Sequence, residues 1–591
     1  MGDTYRIKDI LQNVMKPSRY TGGEFNEATM KEGDVINYAL AFPDTYEVGM
    51  SHLGMKILYH LLNGMPNVNC ERAFAPQDDM AEELRKHNMP LFSLETYKSL
   101  GDFDFIGFSL QYEMCMTTVL HMLSLSNIPF YREDRGIDDP IIMAGGSVTV
   151  NPLPYNKIFD MFVIGEAEEV LPELMDLYDA NRNKDAFLKA ASQVEGVYIP
   201  SVHGGDAKVR RLYVKDMDNA FFPDKFIVPF TEAIFDRAAV EVMRGCPRGC
   251  RFCQAGMIYR PVRQKNVSTL YSQAEKLIAS TGYNEISLSS LSTTDYMGCE
   301  KLVNDLYDRF ASEKTTVNLP SLRIDAFSMK LAKKLQTTRT IALTFAPEAG
   351  SQRMRDVINK NITEDEIMAT LSEAFASGYN KIKLYFMIGL PYETDEDVLD
   401  ISRLLKKIYY SYKTAAPNGK PLALSASVAC FVPKPHTPFE FFPQDSAEEF
   451  KRKIRLLLDG VPKKIKLSYH EPDLSIIEGA FARGDERLND VIVSAYNKGC
   501  VFDSWTDHFD AGKWEEAFAD CGLSVSEFAE RRFGYDERLP WDIIDIGVSK
   551  AFLVKEAEKA GRAETTPNCF EKCSACGISE KDGKCRFEIQ D

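Results

Sequence analysis

Arg244-Gly245-Cys246-Pro247-Arg248-Gly249-Cys250-Arg251-Phe252-Cys253 carries three cysteines at C-x3-C-x2-C spacing and runs into Gln254-Ala255-Gly256. Three thiolates on one short loop can each hold one iron of a cubane cluster, which leaves the fourth iron without a protein ligand and open to a small molecule. A structural zinc knuckle is the plainer alternative. Such a site is normally closed by a fourth Cys or His, and here the next cysteine is Cys299 and the next histidine is His436. The flanking sequence favours the cluster. Val240-Glu241-Val242-Met243 reads as a strand leading straight into the loop, and the carboxyl end of a parallel strand is where barrel enzymes place their chemistry.

Working outward from the loop, strand and helix patterns alternate. Further strands are expected at 285–289, 321–325, 340–345, 381–387 and 422–429, giving six strand–helix units and a partial (βα)6 TIM barrel over residues 232–467. Upstream, the apolar run 35–42 reads as a buried strand closed by Pro43-Asp44, with a helix at 51–62. The alternation recurs, with strands at 105–110, 141–144 and 161–164 and helices at 78–87, 112–125 and 167–178. The fold class is therefore α/β. A doubly wound, Rossmann-like domain over 1–183, including a polar leader, is followed by a connector over 184–231 and then the barrel. Residues 468–591 read as a mainly helical cap over the barrel mouth and contain Trp505, Trp514 and Trp541. In open parallel sheets ligands bind at the carboxyl ends of the strands. There the sequence has Ser109 in Phe108-Ser109-Leu110-Gln111, then Gly145-Gly146, then Gly165-Glu166, and glycine allows a bulky ligand to approach the backbone.

At 591 residues the chain has ample length for several domains, and its 45% apolar and 27% charged content is that of a soluble globular protein. The amino terminus lacks a secretory layout and no segment resembles a spanning helix, so a cytoplasmic protein with no membrane partner is expected. A formal charge of −17 excludes a chain that coats nucleic acid nonspecifically, because phosphate contacts need clustered Lys and Arg. A folded RNA remains open as substrate. The basic stretch 451–466 carries Ile454, Leu456, Leu457 and Leu458, which suits a solvated basic face on a helix with one side buried. The thirteen cysteines are grouped, which in a reducing compartment points to metal ligation before disulfides. A second group, Cys569, Cys573, Cys576 and then Cys585, repeats the C-x3-C-x2-C spacing and suits zinc or a second iron–sulfur cluster.

The cysteine loop, with Phe252 before its last cysteine, resembles the radical S-adenosylmethionine (radical SAM) superfamily, and the set S-x-x, G-G, G-E resembles the cobalamin-binding domain ahead of many of its members. Ala41 to Gly54, Phe108 to Glu113, Cys246 to Cys253 and Pro433 to Phe439 together resemble an uncharacterised family of cobalamin (B12)-binding radical SAM proteins. The resemblance implies a [4Fe-4S] cluster on Cys246, Cys250 and Cys253, S-adenosyl-L-methionine on the open iron, and cobalamin against Ser109, Gly145, Gly146 and Gly165. It also implies contacts to S-adenosylmethionine from Phe252, from Ser289 at the second barrel strand, from Glu348 and Arg353 after the fourth, and from Gly389 after the fifth. A carboxylate can hold ribose hydroxyls and a guanidinium can fork onto a carboxylate; a surface ion pair at a helix start is the alternative for Glu348 and Arg353. The family's D-x-H-x-x-G is missing. His52 stands near its place and is expected to start a helix or pack, not to bind cobalt.

These implications lead to a radical methyltransferase acting on an unactivated carbon of a small molecule or RNA, supplied with electrons by a donor such as flavodoxin or ferredoxin. Cobalamin-dependent rearrangement would use the same motifs. A methylthiotransferase would need another cysteine trio in the amino-terminal domain, where only Cys70 and Cys115 occur. A noncatalytic cobalamin- or metal-binding regulator is the rival of another class. No catalytic acid or base is assigned, since His52, His436, His470 and His508 lack partners at catalytic spacing. His436 and Tyr112 are candidates for the cavity wall by position.

Overall fold

Seven residues, Ile36–Phe42 (β1), form a strand buried almost throughout, the pattern of a parallel sheet covered on both faces. Around it stand β2 (Val68–Phe74), β3 (Phe105–Ser109), β4 (Ile141–Gly145), β5 (Met161–Val163) and β6 (Val197–Tyr198). The sheet order is β2-β1-β3-β4-β5-β6, parallel from β2 to β5, with β6 antiparallel at the edge. The strand order reverses between β1 and β3, and in such sheets the crevice outside the carboxyl ends at that point takes the ligand. The structure is a computed structural model that describes residues 7–180, 182–204, 207–318, 343–415 and 420–578.

Two stretches depart from the sequence reading. β2 was not expected, because Glu71 and Arg72 interrupt it, yet all seven of its residues are buried. Both charges have partners: Glu71 accepts from Ser93 Oγ at 2.6 Å and from Thr96 N–H at 3.1 Å, and Arg72 pairs with Glu24, Glu27 and Glu95. Residues 184–199, expected to begin a connector, instead belong to the first domain. The helix Lys184–Ala191 buries Phe187 and Ala191 in its core, and β6 extends its sheet.

After β7 (Val209–Arg210), the second domain opens on β8 (Ala238–Glu241). β9 (Met243–Arg244) and β10 (Arg263–Gln264) then form a short antiparallel ribbon that closes the cysteine loop at its base. β11 (Glu285–Ser289) and β12 (Thr316–Asn318) join β8 in the parallel order β12-β11-β8. β13 (Leu343–Glu348), β14 (Lys381–Ile388), β15 (Ala423–Cys430) and β16 (Lys466–Tyr469) form a second parallel run in sequence order. Intervening helices, such as Val267–Thr281 and Cys299–Phe310, cover these strands with one apolar face each. The strand expected at 321–325 lies outside the described residues, and β16 crosses the boundary expected at 467.

The carboxyl-terminal region is mainly helical, as read. Its helices Pro472–Arg483 and Leu488–Asn497 pack on the first domain, against Glu113–Cys115 and Met116–Leu125. Asn151 Nδ2 donates to the carbonyls of Ala482 and Gly484, and Asn489 Nδ2 to that of Leu153. Lys434, from the second domain, joins Glu113 and Glu478 at 2.7 Å each. A strand β17 (Ile544–Asp545) pairs with β7. These helices therefore strap the two α/β domains together. Among the described residues no helix is long and apolar enough to cross a membrane.

Candidate active site

The cysteine loop sits where β8 and its ribbon end, and it is fixed from several sides. Arg248 forks onto Asp295 at 2.9 and 2.5 Å. Arg251 is fully buried; its Nη1 donates to the carbonyls of Asp356 and Val357 at the end of the helix Gln352–Val357, where a cation complements the helix dipole. Its Nη2 reaches Glu556 at 3.0 Å and the carbonyl of Glu564 at 2.6 Å. Asn359 Nδ2 donates to Gly249 O at 2.9 Å. The thiols are thus presented by a rigid loop. Gly256 N–H already donates to Cys253 Sγ at 3.3 Å, the kind of bond that tunes cluster sulfurs. Burial, then the neighbouring Cys250, pushes the free Cys253 thiol up to about 11, so a metal must displace its proton. A cubane binds each thiolate through a different iron, so this donor set fits a cluster.

A cavity of about 540 Å³ lies between the carboxyl ends of the two sheets. Ser109, Gly145, Gly146 and Gly165 line it from the first domain, and Ser289, Glu241, Arg244 and Gly245 from the second. Five residues singled out from sequence are thus brought to one space, next to the start of the cysteine loop. Gly145 differs from the other glycines. A Cβ built on it meets nothing within 4 Å among the described residues, so neither packing nor a positive φ demands glycine there, and a ligand could lie against the bare backbone. Gly146 and Gly165 have φ of +108° and +114°, and a Cβ on either would stand 2.2 Å from the carbonyl oxygen of Leu110 or Leu212. Their glycines are accounted for by the chain itself. The glycine-lined crevice lies at the point where strand order reverses, and the bare backbone at Gly145 leaves room there for a bulky cofactor.

Sequence reasoning missed the charges of this cavity. Glu166 accepts from Arg263 at 2.7 and 2.8 Å, from Arg244 at 2.9 Å and from Val214 N–H at 2.8 Å. Burial alone would raise its pKa, but Arg263 and then Arg244 hold it down at about 2. Arg244 also binds Glu168 and Glu241, at 2.5 and 3.0 Å. Arg244 stands two residues before Cys246, and that adjacency was the signal available. Lys56 lies on the cavity wall with its pKa lowered to about 8 by burial. His52, also on the wall, caps the helix Leu53–Gly64 by accepting from Met55 N–H, and burial and Lys56 lower it to about 4, so it is neutral.

Other expected residues fall elsewhere. Glu348 pairs with Lys360 at 3.1 Å, and both act on the Cys253 thiol. Arg353 pairs with Asp397 and donates to the carbonyl of Tyr392 at 2.9 Å, which is the ion pair at a helix start and not a cavity contact. Gly389 is needed because a Cβ would meet the Phe450 ring at 2.3 Å. Phe252 is half-buried and packs on the core. Neither His436 nor Tyr112 lines the cavity: His436 donates from Nε2 to Val150 O at 3.1 Å, and Tyr112 OH binds Glu478 at 2.9 Å. Cys569, Cys573 and Cys576 lie on the segment that abuts the cysteine loop, and Cys585 lies outside the described residues.

Residues 54–200 match the family described as radical SAM proteins, N-terminal, and residues 240–405 match the radical SAM superfamily. The uncharacterized protein MJ0966 of Methanocaldococcus jannaschii is 30% identical over 81% of this chain and 98% of its own length. The uncharacterized methyltransferase PH0819 of Pyrococcus horikoshii is 25% identical over 46% of this chain and 59% of its own. Among solved structures, the radical S-adenosylmethionine methyltransferase TsrM of Kitasatospora setae aligns with a TM-score of 0.48 and 11% identity, over 68% of this chain and 75% of that one.

Proposed function

The chain belongs to the radical SAM superfamily, as a member of the family of MJ0966, and from that premise we propose that it is a cobalamin-dependent radical methyltransferase. Cys246, Cys250 and Cys253 would hold the [4Fe-4S] cluster, and the crevice of Ser109, Gly145, Gly146 and Gly165 would hold cobalamin. Bound there, the cluster with S-adenosylmethionine supplies a hydrogen-abstracting 5'-deoxyadenosyl radical, and cobalamin supplies the methyl group. The observation that carries this reading is the shared cavity: the cradle of the first sheet and the entrance to the cysteine loop face one space. The chain's own residues would bind and orient. Arg251, Arg248 and Asn359 keep the loop rigid, and the Glu166–Arg244–Arg263 cluster keeps the two domains in register across the cavity. Ser289 and Lys56 offer polar contacts on opposite walls. The resemblance to a methyltransferase from Pyrococcus horikoshii supports methyl transfer as the outcome. Electrons would come from a flavodoxin or ferredoxin.

The test is anaerobic purification, reconstitution with iron and sulfide, and incubation with cobalamin, reductant and S-adenosylmethionine. Wild type is expected to release 5'-deoxyadenosine and to bind cobalamin with a changed absorption spectrum; Cys250→Ala should release none yet still bind cobalamin. Wild type with an intact cluster that neither cleaves nor binds S-adenosylmethionine would exclude the radical reading. Cleavage without cobalamin binding would exclude the methyl-transfer part alone.

A further inference from the structure

Arg260 is 3% exposed, and its Nη1 has no hydrogen-bond partner among the described residues. Its Nε donates to Gly256 O at 3.0 Å, and its guanidinium stands over the Phe552 ring at 5.4 Å. A buried guanidinium with an open N–H is costly unless negative charge faces it. The guanidinium hydrogen-bonds Cys576 of the carboxyl-terminal segment, and Cys569 of that segment and Cys246 of the cysteine loop act on its charge. Two cysteine groups separated by most of the chain therefore share one arginine.

The carboxyl-terminal segment is held in this place by its main chain. Cys569 N–H donates to Pro247 O at 2.9 Å, inside the cysteine loop. Thr566 N–H donates to Asn359 Oδ1 at 2.7 Å, so the side chain that holds Gly249 also holds this segment. Ser549 N–H donates to Cys576 O at 2.8 Å. Cys576 is buried, Cys569 half-buried and Cys573 exposed, so the group runs from the interior to the surface.

We propose that Cys569, Cys573 and Cys576 hold a second iron–sulfur cluster beside the cluster of Cys246, Cys250 and Cys253, and that it relays single electrons inward. The spacing is the same C-x3-C-x2-C, which can place each thiolate on a different iron. The open N–H of Arg260 is an unfilled donor for thiolate or bridging sulfide, and its charge offsets the electron that either cluster gains. A one-electron donor of the ferredoxin or flavodoxin class is oxidised at the exposed side, the outer cluster carries the electron, and the inner cluster is reduced. No bond or proton changes place. The relay rests on the radical reading above, whereas the metal site does not.

Iron and sulfide counts decide the matter in the full chain. After anaerobic reconstitution, wild type should hold about eight irons and the variant C246A C250A C253A about four, with a reducible iron–sulfur signal by electron paramagnetic resonance. Cys573→Ser, at an exposed position, should fold normally and fall to about four irons. It should also make 5'-deoxyadenosine with dithionite but several-fold more slowly with a reduced flavodoxin. Zinc or no metal in the radical-loop variant, or full iron in Cys573→Ser, overturns the site. Wild type with about eight irons and no S-adenosylmethionine cleavage would leave the site standing and remove the relay.

Discussion

Gly145 and Gly146 are neighbours in sequence whose glycines have different causes, and the difference is measurable. Gly146 has φ +108° and ψ −177°, a region open essentially to glycine alone, and a Cβ there would sit 2.2 Å from Leu110 O. Gly146→Ala should therefore destabilise the apo protein by about 1–3 kcal/mol in urea unfolding. Gly145→Ala should change it by less than about 0.5 kcal/mol, because the added methyl meets nothing. Cobalamin titration should show the reverse order at equal stability, with Gly145→Leu binding many-fold more weakly. Equal loss of stability at both positions would mean that Gly145 is a packing residue and not a cradle. His52 supports a related expectation. Its Nδ1 accepts the helix-capping bond from Met55, so Nε2 carries the proton and has no lone pair for a metal. Cob(II)alamin bound to the protein should show no hyperfine splitting from a protein nitrogen in its paramagnetic spectrum, and His52→Asn, which preserves a cap, should leave that spectrum unchanged.

At the scale of elements, β2 shows what a sequence cannot display. β1, β3, β4 and β5 are legible because their residues are almost all uncharged and apolar, as those of strands buried on both faces are. β2 is as deeply buried, but Glu71 and Arg72 make it read as a loop, since burial of charge depends on partners elsewhere in the chain. Those partners, Glu24, Glu27 and Glu95, come from the leader and from a loop beyond the next helix. Arg72→Met should cost about 3–5 kcal/mol at neutral pH, because the carboxylates stay buried without their cation. Burial already lifts Glu95 to about 7 with Arg72 present, and removing the arginine lifts it further. A carboxyl whose folded pKa lies above its unfolded value weakens the fold as pH rises between the two. The deficit of Arg72→Met should thus be smaller at pH 5 than at pH 8, and a deficit independent of pH would mean that lost packing dominates. The same limit explains the site. Spacing and position single out Cys246, Cys250, Cys253 and the strand-end residues as candidates, whereas for Arg353 a cofactor contact and a surface ion pair stand side by side in the sequence, because Asp397, the partner that makes the ion pair, is supplied by a later helix. The straps of the carboxyl-terminal helices were likewise hidden, since amphipathicity shows that a helix face is buried and not what buries it.

At the scale of the whole molecule, the relation between the two sheets turns on Glu166. It leaves the end of β5 and is held by Arg244 and Arg263, which face each other across the ribbon β9–β10 that closes the cysteine loop. Its carboxyl ordinarily titrates near 4.5 and here near 2, despite burial. A depressed pKa adds stability that is fully present above about 4.5 and is lost as pH falls toward 2; two to three pH units correspond to about 3 kcal/mol. Glu166→Gln keeps the shape and removes the charge. In urea unfolding it should be less stable than wild type by about 3 kcal/mol at pH 6, with the gap shrinking to about half by pH 3. Because Arg244 retains Glu168 and Glu241, the loop itself should stay ordered, and reconstituted iron should equal that of wild type. The first domain, however, loses its bond to the ribbon, so cobalamin affinity and the coupling of the two cofactors should fall together. A gap that does not close on acidification would show that Glu166 acts through shape. Lost iron with unchanged cobalamin affinity would place its effect on the loop, and the ion cluster would then brace the cysteines and not the distance between the sheets.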